Sequence, residues 1–212
     1  MHCLLIATRN SHKTREFAQI LGDRYAVCDL TGSPEIPEVE ETGKTLGENA
    51  VIKARSASEY LPSLVVADDS GLEVDALHGA PGIFSARYAG PEASDKENTE
   101  KLLNEIAHAE GDSTRYPARF RCVLALAEKG HLLQTFEGVA EGTITRRPRG
   151  TAGFGYDPIF VPEGFEQTFA EMPAEVKNQI SHRARAIAQL AEYLAKLEEN
   201  CRTPLTDAAR QS

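Results

Sequence analysis

The apolar run Leu64-Val65-Val66-Ala67 stops abruptly at two adjacent carboxylates, in Asp68-Asp69-Ser70-Gly71. A run this short and this apolar reads as a buried strand, far below the ~20 residues of a membrane span. Such a strand belongs in a sheet covered by helices, and the chain supplies them. Cys3 to Ala7 is a first buried strand. Lys13 to Leu21 follows as a helix with Phe17, Ile20 and Leu21 on one face and Ser11 as its N-cap. Thr45-Leu46-Gly47-Glu48 is a capping box that opens a helix reaching about Leu61. That helix buries Ala50, Ala54, Ala57 and Leu61, while Asn49 and Lys53 project from another side. Leu72, Val74 and Ala76 alternate with Glu73 and Asp75, so the chain is expected to leave the acidic turn as a further strand. Ser94-Asp95-Lys96-Glu97 is a second capping box, with Leu102, Leu103 and Ile106 inward. Ala118, Phe120, Cys122, Leu124 and Leu126 mark a long strand whose partner runs from Phe136 to Thr145. The last helix runs from Ser181 to about Leu197. One mixed α/β domain over residues 1–200 is expected, and residues 201–212 form a polar tail expected to be disordered.

Composition narrows the class. Net charge is −9, from 23 basic and 32 acidic residues, which argues against a duplex nucleic-acid partner. An acidic chain can still bind a polyphosphate where a metal and a few lysines reverse the local field. Cys3, Cys28, Cys122 and Cys201 are scattered without a C-x-x-C pair, so neither a zinc site nor a disulfide framework is expected. Cys3 and Cys122 fall in apolar runs and read as buried thiols. The opening residues form a strand without the basic flank of a signal peptide, and no membrane segment is seen, so a cytoplasmic address is expected.

Several segments could carry chemistry. Asp68 and Asp69 could coordinate Mg²⁺ and position a water, although local rules alone favour an Asx turn. Glu40 and Glu41 could complete the metal shell or form a solvated acidic face. Lys13 opposes the dipole in the first turn of its helix, which an anionic ligand would explain. The loop before it, Thr8-Arg9-Asn10-Ser11, lacks the spacing of a Walker-type phosphate loop. Lys53 and Lys177, taken singly, are ordinary surface lysines. Phe154-Gly155-Tyr156-Asp157 offers an aromatic face beside glycines that admit a flat ligand, and is equally a core aromatic at a turn. Ser181-His182-Arg183 is an N-cap followed by two donors suited to a keto oxygen. No H-E-x-x-H, G-x-S-x-G or G-x-G-x-x-G motif is present.

Together these segments resemble the inosine triphosphatase/RdgB family of purine nucleoside triphosphate pyrophosphatases. The resemblance rests on Ala7 to Lys13, Glu40 to Thr45 with Glu48-Asn49-Ala50, Ala67 to Leu72, Gly79 to Gly90, Gly153 to Pro158 and Ile180 to Arg183. It implies two α/β lobes around a long mixed sheet, with the active site in the cleft between them. It also implies a homodimer that uses Mg²⁺ to cut inosine, deoxyinosine or xanthosine triphosphate between the α and β phosphates. In that role the enzyme clears deaminated purines, and neither nucleic acid nor membrane is a partner. On this chain, Asp69 would be general base and metal ligand, with Glu40 or Glu41 as second acidic ligand. Thr8, Arg9, Asn10, Ser11, His12, Lys13 and Ser70 would hold phosphate, and Lys53 and Lys177 would add charge along it. Phe154, Gly155, Tyr156 and Asp157 would cradle the base, with His182 and Arg183 reading its keto edge. Arg9 stands where many members have Gly or His. The rival readings are a related pyrophosphatase of modified pyrimidine triphosphates and a non-catalytic nucleotide-binding regulator.

Overall fold

The computed structural model describes residues 2–61, 63–109 and 116–202. It is a mixed α/β fold built on one six-stranded sheet in the order β2-β1-β3-β4-β5-β6. β1 (His2–Ile6) lies parallel to β2 (Tyr25–Asp29) and to β3 (Val65–Val74). β3, β4 (Tyr116–Glu128), β5 (His131–Ile144) and β6 (Phe160–Pro162) then pair antiparallel. β4 and β5 form a long hairpin closed by Lys129-Gly130, both at positive φ (50° and 78°), the two-residue turn that matches strand twist.

Helices cover the sheet as the apolar patterning requires. On one face lie α1 (Ser11–Leu21) and α5 (His182–Arg202), which bury Phe17, Ile187 and Leu190 against Ile6, Val66, Leu124 and Leu126. On the other lies α2 (Leu46–Glu59), whose Ala50, Ala54 and Ala57 let the helix settle on Val65, Ala67 and Ala125. Leu61 packs partly buried beyond the helix end. A third cluster forms towards the far end of β3 and β4. There Leu72, Val74 and Phe120 meet Leu102 and Ile106 of α3 (Asp95–His108), with Val176 and Ile180 of α4 (Ala174–Ile180) packed alongside.

The largest departure from the sequence reading is β3. The expected turn at Asp68-Asp69-Ser70-Gly71 does not form, because β4 pairs the strand in unbroken register from Val65↔Ala127 to Val74↔Ala118. Local turn preference loses to a full ladder of backbone hydrogen bonds. The expected strand ends at Val74, and Asp75–Leu77 is a short 3-10 turn. Asn10, not Ser11, caps α1, its Oδ1 accepting from the N–H groups of His12 (2.9 Å) and Lys13 (3.3 Å). The box at Thr45 is half formed. Thr45 Oγ1 accepts from Glu48 N–H at 3.1 Å, while the Glu48 carboxylate turns to Lys44 N–H at 2.6 Å. At Ser94 both halves are present. β2 and α4 were not expected, being too short to show a period, and β5 starts before Phe136 because residues 131–135 are exposed without alternation. Cys122 is buried as expected, whereas the Cys3 side chain lies outside those described. α5 continues to Arg202, and residues 203–212 of the expected tail lie outside the described residues. Among the described residues no helix is long and apolar enough to cross a membrane.

One close approach fixes how α5 meets the sheet. A Cβ at Gly138 of β5 would stand 2.1 Å from the His182 carbonyl oxygen and 2.6 Å from the Ala186 nitrogen. Gly138→Ala should therefore destabilise the fold by about 2 kcal/mol or more through overpacking, measured by urea unfolding. A loss within about 0.5 kcal/mol, the scale of an ordinary surface change, would mean the helix is free to shift.

Candidate active site

Because β3 continues as a strand, its two carboxylates point to opposite faces of the sheet. Asp69 faces the α2 layer. Its Oδ1 accepts from Lys53 Nζ at 2.7 Å, and Lys53 also donates to Glu41 Oε1 at 3.1 Å and to the Asp68 carbonyl at 3.0 Å. Glu41 Oε2 in turn accepts from Arg87 at 2.8 Å. Burial raises the Asp69 carboxyl above its ordinary value, a push that the Lys53 charge only partly offsets. Burial acts on Lys53 in the opposite sense, but Asp69 and Glu41 keep its ammonium above the usual lysine range. Asp69 Oδ2 is buried and has no hydrogen-bond partner among the described residues. In a folded protein such an atom calls for an explanation.

Asp68 faces the α1/α5 layer, with its side chain at 0% exposure. Arg183 Nε donates to its Oδ2 at 2.8 Å, Ser70 Oγ to its Oδ1 at 2.9 Å, and Lys13 Nζ also contacts Oδ1. Cys122 Sγ, at 3.2 Å, completes the surround. Burial alone would raise this carboxyl. The charges of Arg183 and Lys13 overturn that and hold it well below the carboxylate range. The network then spreads outward. Glu16 accepts from Arg183 at 2.6 Å and from Lys177 at 2.8 Å, and Lys177 donates to Asp157 at 2.6 Å.

The loop from Gly153 to Asp157 stands over this network. Phe154 lies 5.2 Å from Lys177 Nζ and 5.6 Å from the Arg183 guanidinium carbon, and stacks with His12 at 5.3 Å between ring centroids. Asp157 accepts from Phe154 N–H at 2.9 Å, Gly155 N–H donates to Asp95 at 2.6 Å, and Tyr156 Oη donates to the Ser85 carbonyl at 2.9 Å. His182 is buried, stacked on Phe120 at 4.7 Å, and its Nδ1 has no partner among the described residues. Burial, helped by Arg183 and Lys177, holds that imidazole well below its ordinary value, so it is neutral near pH 7.

Between α1, α2 and the segment 82–87 opens a cleft of about 450 Å³, lined by Thr8, Asn10, Lys13, Glu41, Lys53 and Arg87 among others. Asp69 stands directly behind it, joined through Lys53. The phosphate-loop residues divide. Thr8 Oγ1 accepts from Asn10 N–H at 3.1 Å, and Ser11 is exposed in the first turn of α1. Arg9 turns to the Ile36 carbonyl at 2.7 Å and to Glu38 at 3.5 Å. Ser70 is held within the Asp68 network, and Lys177 lies beneath the aromatic loop. Glu40 is exposed, whereas Glu41 lines the cleft. Glu16, Arg87 and Asp95 join the site unforeseen. Glu16, one helical turn after Lys13, was findable from spacing; Arg87 and Asp95 needed the fold. A larger groove of about 930 Å³ opens by the start of α2, lined by Val51, Ile52 and Val123 with Glu73, Arg121 and Glu137. Lys13 and Lys53 line the smaller cleft, and Lys53 ties it to the Asp69 carboxylate behind.

Those carboxylates suit a hard cation. Among the described residues no group of three His, Cys, Asp or Glu could hold a metal by itself. Mg²⁺ commonly binds through one or two carboxylates plus substrate phosphates. Asp69 Oδ2 and the Glu41 carboxylate fit that pattern.

The Ham1 family model matches residues 4–193, and the chain belongs to that family. The resemblance read from the motifs is thereby borne out. A dITP/XTP pyrophosphatase of Shouchella clausii is 49% identical over 195 residues, covering 92% of this chain and 97% of its own. Another dITP/XTP pyrophosphatase, from Bacillus licheniformis, is 50% identical over 192 residues, covering 90% and 97%. A HAM1 protein from Coxiella burnetii superposes with a TM-score of 0.82 at 42% identity, over 92% of this chain and 100% of that one. The Staphylococcus aureus Ham1 protein gives 0.79 at 42% identity, over 92% and 99%.

The two neighbouring carboxylates should respond in opposite ways to neutralisation. Asp68, held low, contributes stability above the ordinary carboxylate pKa that is lost as pH falls through its lowered value. Asp69, held high, works against folding when ionised. At pH 7, Asp68→Asn should cost about 3 kcal/mol or more, the penalty of breaking a buried ion pair. Asp69→Asn should be no less stable than the parent. Denaturant unfolding of both variants decides it, and equal losses would refute the assignment.

Proposed function

We propose that the protein hydrolyses non-standard purine nucleoside triphosphates, dITP or ITP and XTP or dXTP, to the monophosphate and pyrophosphate. Family membership and the near-50% identity to enzymes named dITP/XTP pyrophosphatases support the reaction class. The observation that carries the mechanism is Asp69, a buried carboxylate with one oxygen on Lys53 and the other free.

A triphosphate in the cleft meets Lys13 and Lys53, which offset charge that would otherwise repel an attacking water. Asp69 takes the proton as the water oxygen bonds to the α-phosphorus. The bond to the oxygen bridging the α and β phosphates breaks, and pyrophosphate leaves. A raised carboxyl is a better base than an ordinary aspartate. Asp69 and Glu41 would hold Mg²⁺, which would supply further neutralisation of the phosphates.

The base stacks at Phe154, which places its edge towards the start of α5. His182 is the donor there, since a neutral imidazole can offer an N–H to a C6 keto oxygen, while Arg183, committed to Asp68, Glu16 and Ser70, holds the start of α5 in place. An amino group at that position leaves this donor unpaired, at about 1–3 kcal/mol. Lys177 tunes this platform from below. A homodimer in the cytoplasm belongs to the same reading; sedimentation equilibrium tests the assembly and cell fractionation the location.

Pyrophosphate release should be fastest from deoxyinosine or xanthosine triphosphate in a panel that includes deoxyguanosine and methylated pyrimidine triphosphates. A pyrimidine as best substrate would remove the role given to His182. Asp69→Asn should lower turnover by about 10²-fold or more, the scale of a lost general base, while nucleotide binding persists. Parental turnover in that variant would end the mechanism, and binding without turnover in the parent would favour a regulator. Omission of Mg²⁺ should abolish turnover in the same assay.

A further inference from the structure

The segment from Gly79 to Tyr88 is held more firmly than a surface connection needs. Ser85 is buried, accepts from Leu72 N–H at 2.9 Å and donates to the Gly82 carbonyl at 2.6 Å. Gly71 of β3 lies so close that a Cβ there would stand 2.3 Å from that same carbonyl oxygen. Asn98 Nδ2 donates to the Ala86 carbonyl at 3.1 Å, and Asn98 Oδ1 accepts from Ala89 N–H at 2.7 Å. Tyr156 of the base loop grips the Ser85 carbonyl.

This clamp presents Arg87. Its side chain is 34% exposed, lines the same cleft as Lys13 and Lys53, and packs 5.6 Å from the Phe84 ring centroid. Nη1 donates to Glu41. A guanidinium carries five N–H donors, and its fork matches phosphate oxygens in pairs. Arg9 in the same cleft is committed to Ile36 and Glu38. The contacts run in the order Asp69, Lys53, Glu41, Arg87. With the attacked α-phosphorus at the Asp69 end, Arg87 stands at the far end.

We propose that Arg87 binds the pyrophosphate half of the triphosphate and holds it as the leaving group. The proposal rests on the α–β cleavage inferred above. Calorimetric binding of inorganic pyrophosphate and, separately, of deoxyinosine monophosphate to the parent, Arg87→Gln and Arg87→Lys in Mg²⁺ buffer tests it. Arg87→Gln should weaken pyrophosphate binding at least about tenfold, the scale of one charge-assisted hydrogen bond. Monophosphate binding should stay within about twofold, a change under half a kcal/mol. Arg87→Lys, which keeps the charge but not the fork, should fall between, and it carries the test should Arg87→Gln fail to fold by thermal melting. Equal weakening of both ligands, or of neither, would overturn the proposal. The cleavage reading is judged independently on the parent enzyme, where release of orthophosphate instead of pyrophosphate from deoxyinosine triphosphate would refute it.

Discussion

A carboxylate without solvent contact lies in the middle of the sheet, and much of the architecture follows from neutralising it. Unpaired, Asp68 would cost several kcal/mol to bury. Arg183 from α5 and Lys13 from α1 supply the opposing charge, so the docking of both helices depends on one side chain of β3. Their surplus charge is taken up by Glu16, and Lys177 links Glu16 to Asp157. Three cations therefore face three carboxylates in one connected, mostly buried cluster. Gly138 permits the close approach of α5 that puts Arg183 in reach.

The opposite face of the same strand is built differently. Lys53 and Arg87 face Asp69 and Glu41, so charge again balances, yet one Asp69 oxygen is left without a donor. The two faces divide the labour. Asp68 is saturated and rigidifies the sheet, while Asp69 keeps capacity for a ligand. The aromatic loop is tied to both systems: Asp157 joins it to the Asp68 cluster through Lys177, and Tyr156 joins it to the segment carrying Arg87. In the proposed function, a base at Phe154 and phosphates in the cleft would be held by parts of one hydrogen-bonded frame, the pre-organisation that phosphoryl chemistry requires.

Much of this was legible in the chain. The capped helices, the alternating β4 and the apolar run into Asp68 all reflect local patterning, and tertiary packing agrees with them. The ordered set of motifs was enough to place the chain in its family. Less legible were contacts between residues far apart in sequence. By local pattern Lys177 is an ordinary surface lysine and Arg183 a donor after an N-cap, yet both are buried in ion pairs that only the meeting of α1, α4 and α5 creates. Arg9 looked like a cation for phosphate and instead braces the loop at Ile36.

By itself, then, the sequence determined the kinds of element, the acidic pair at the end of an apolar run, and the family. It did not determine what each acid of that pair does. By local chemistry Asp-Asp-Ser-Gly is a turn, in which both carboxylates would share one environment. Only pairing with β4 makes it a strand, and a strand's two-residue period sends its neighbours to opposite faces. That geometry gives Asp68 to the core and leaves Asp69 with an oxygen that no described residue pairs.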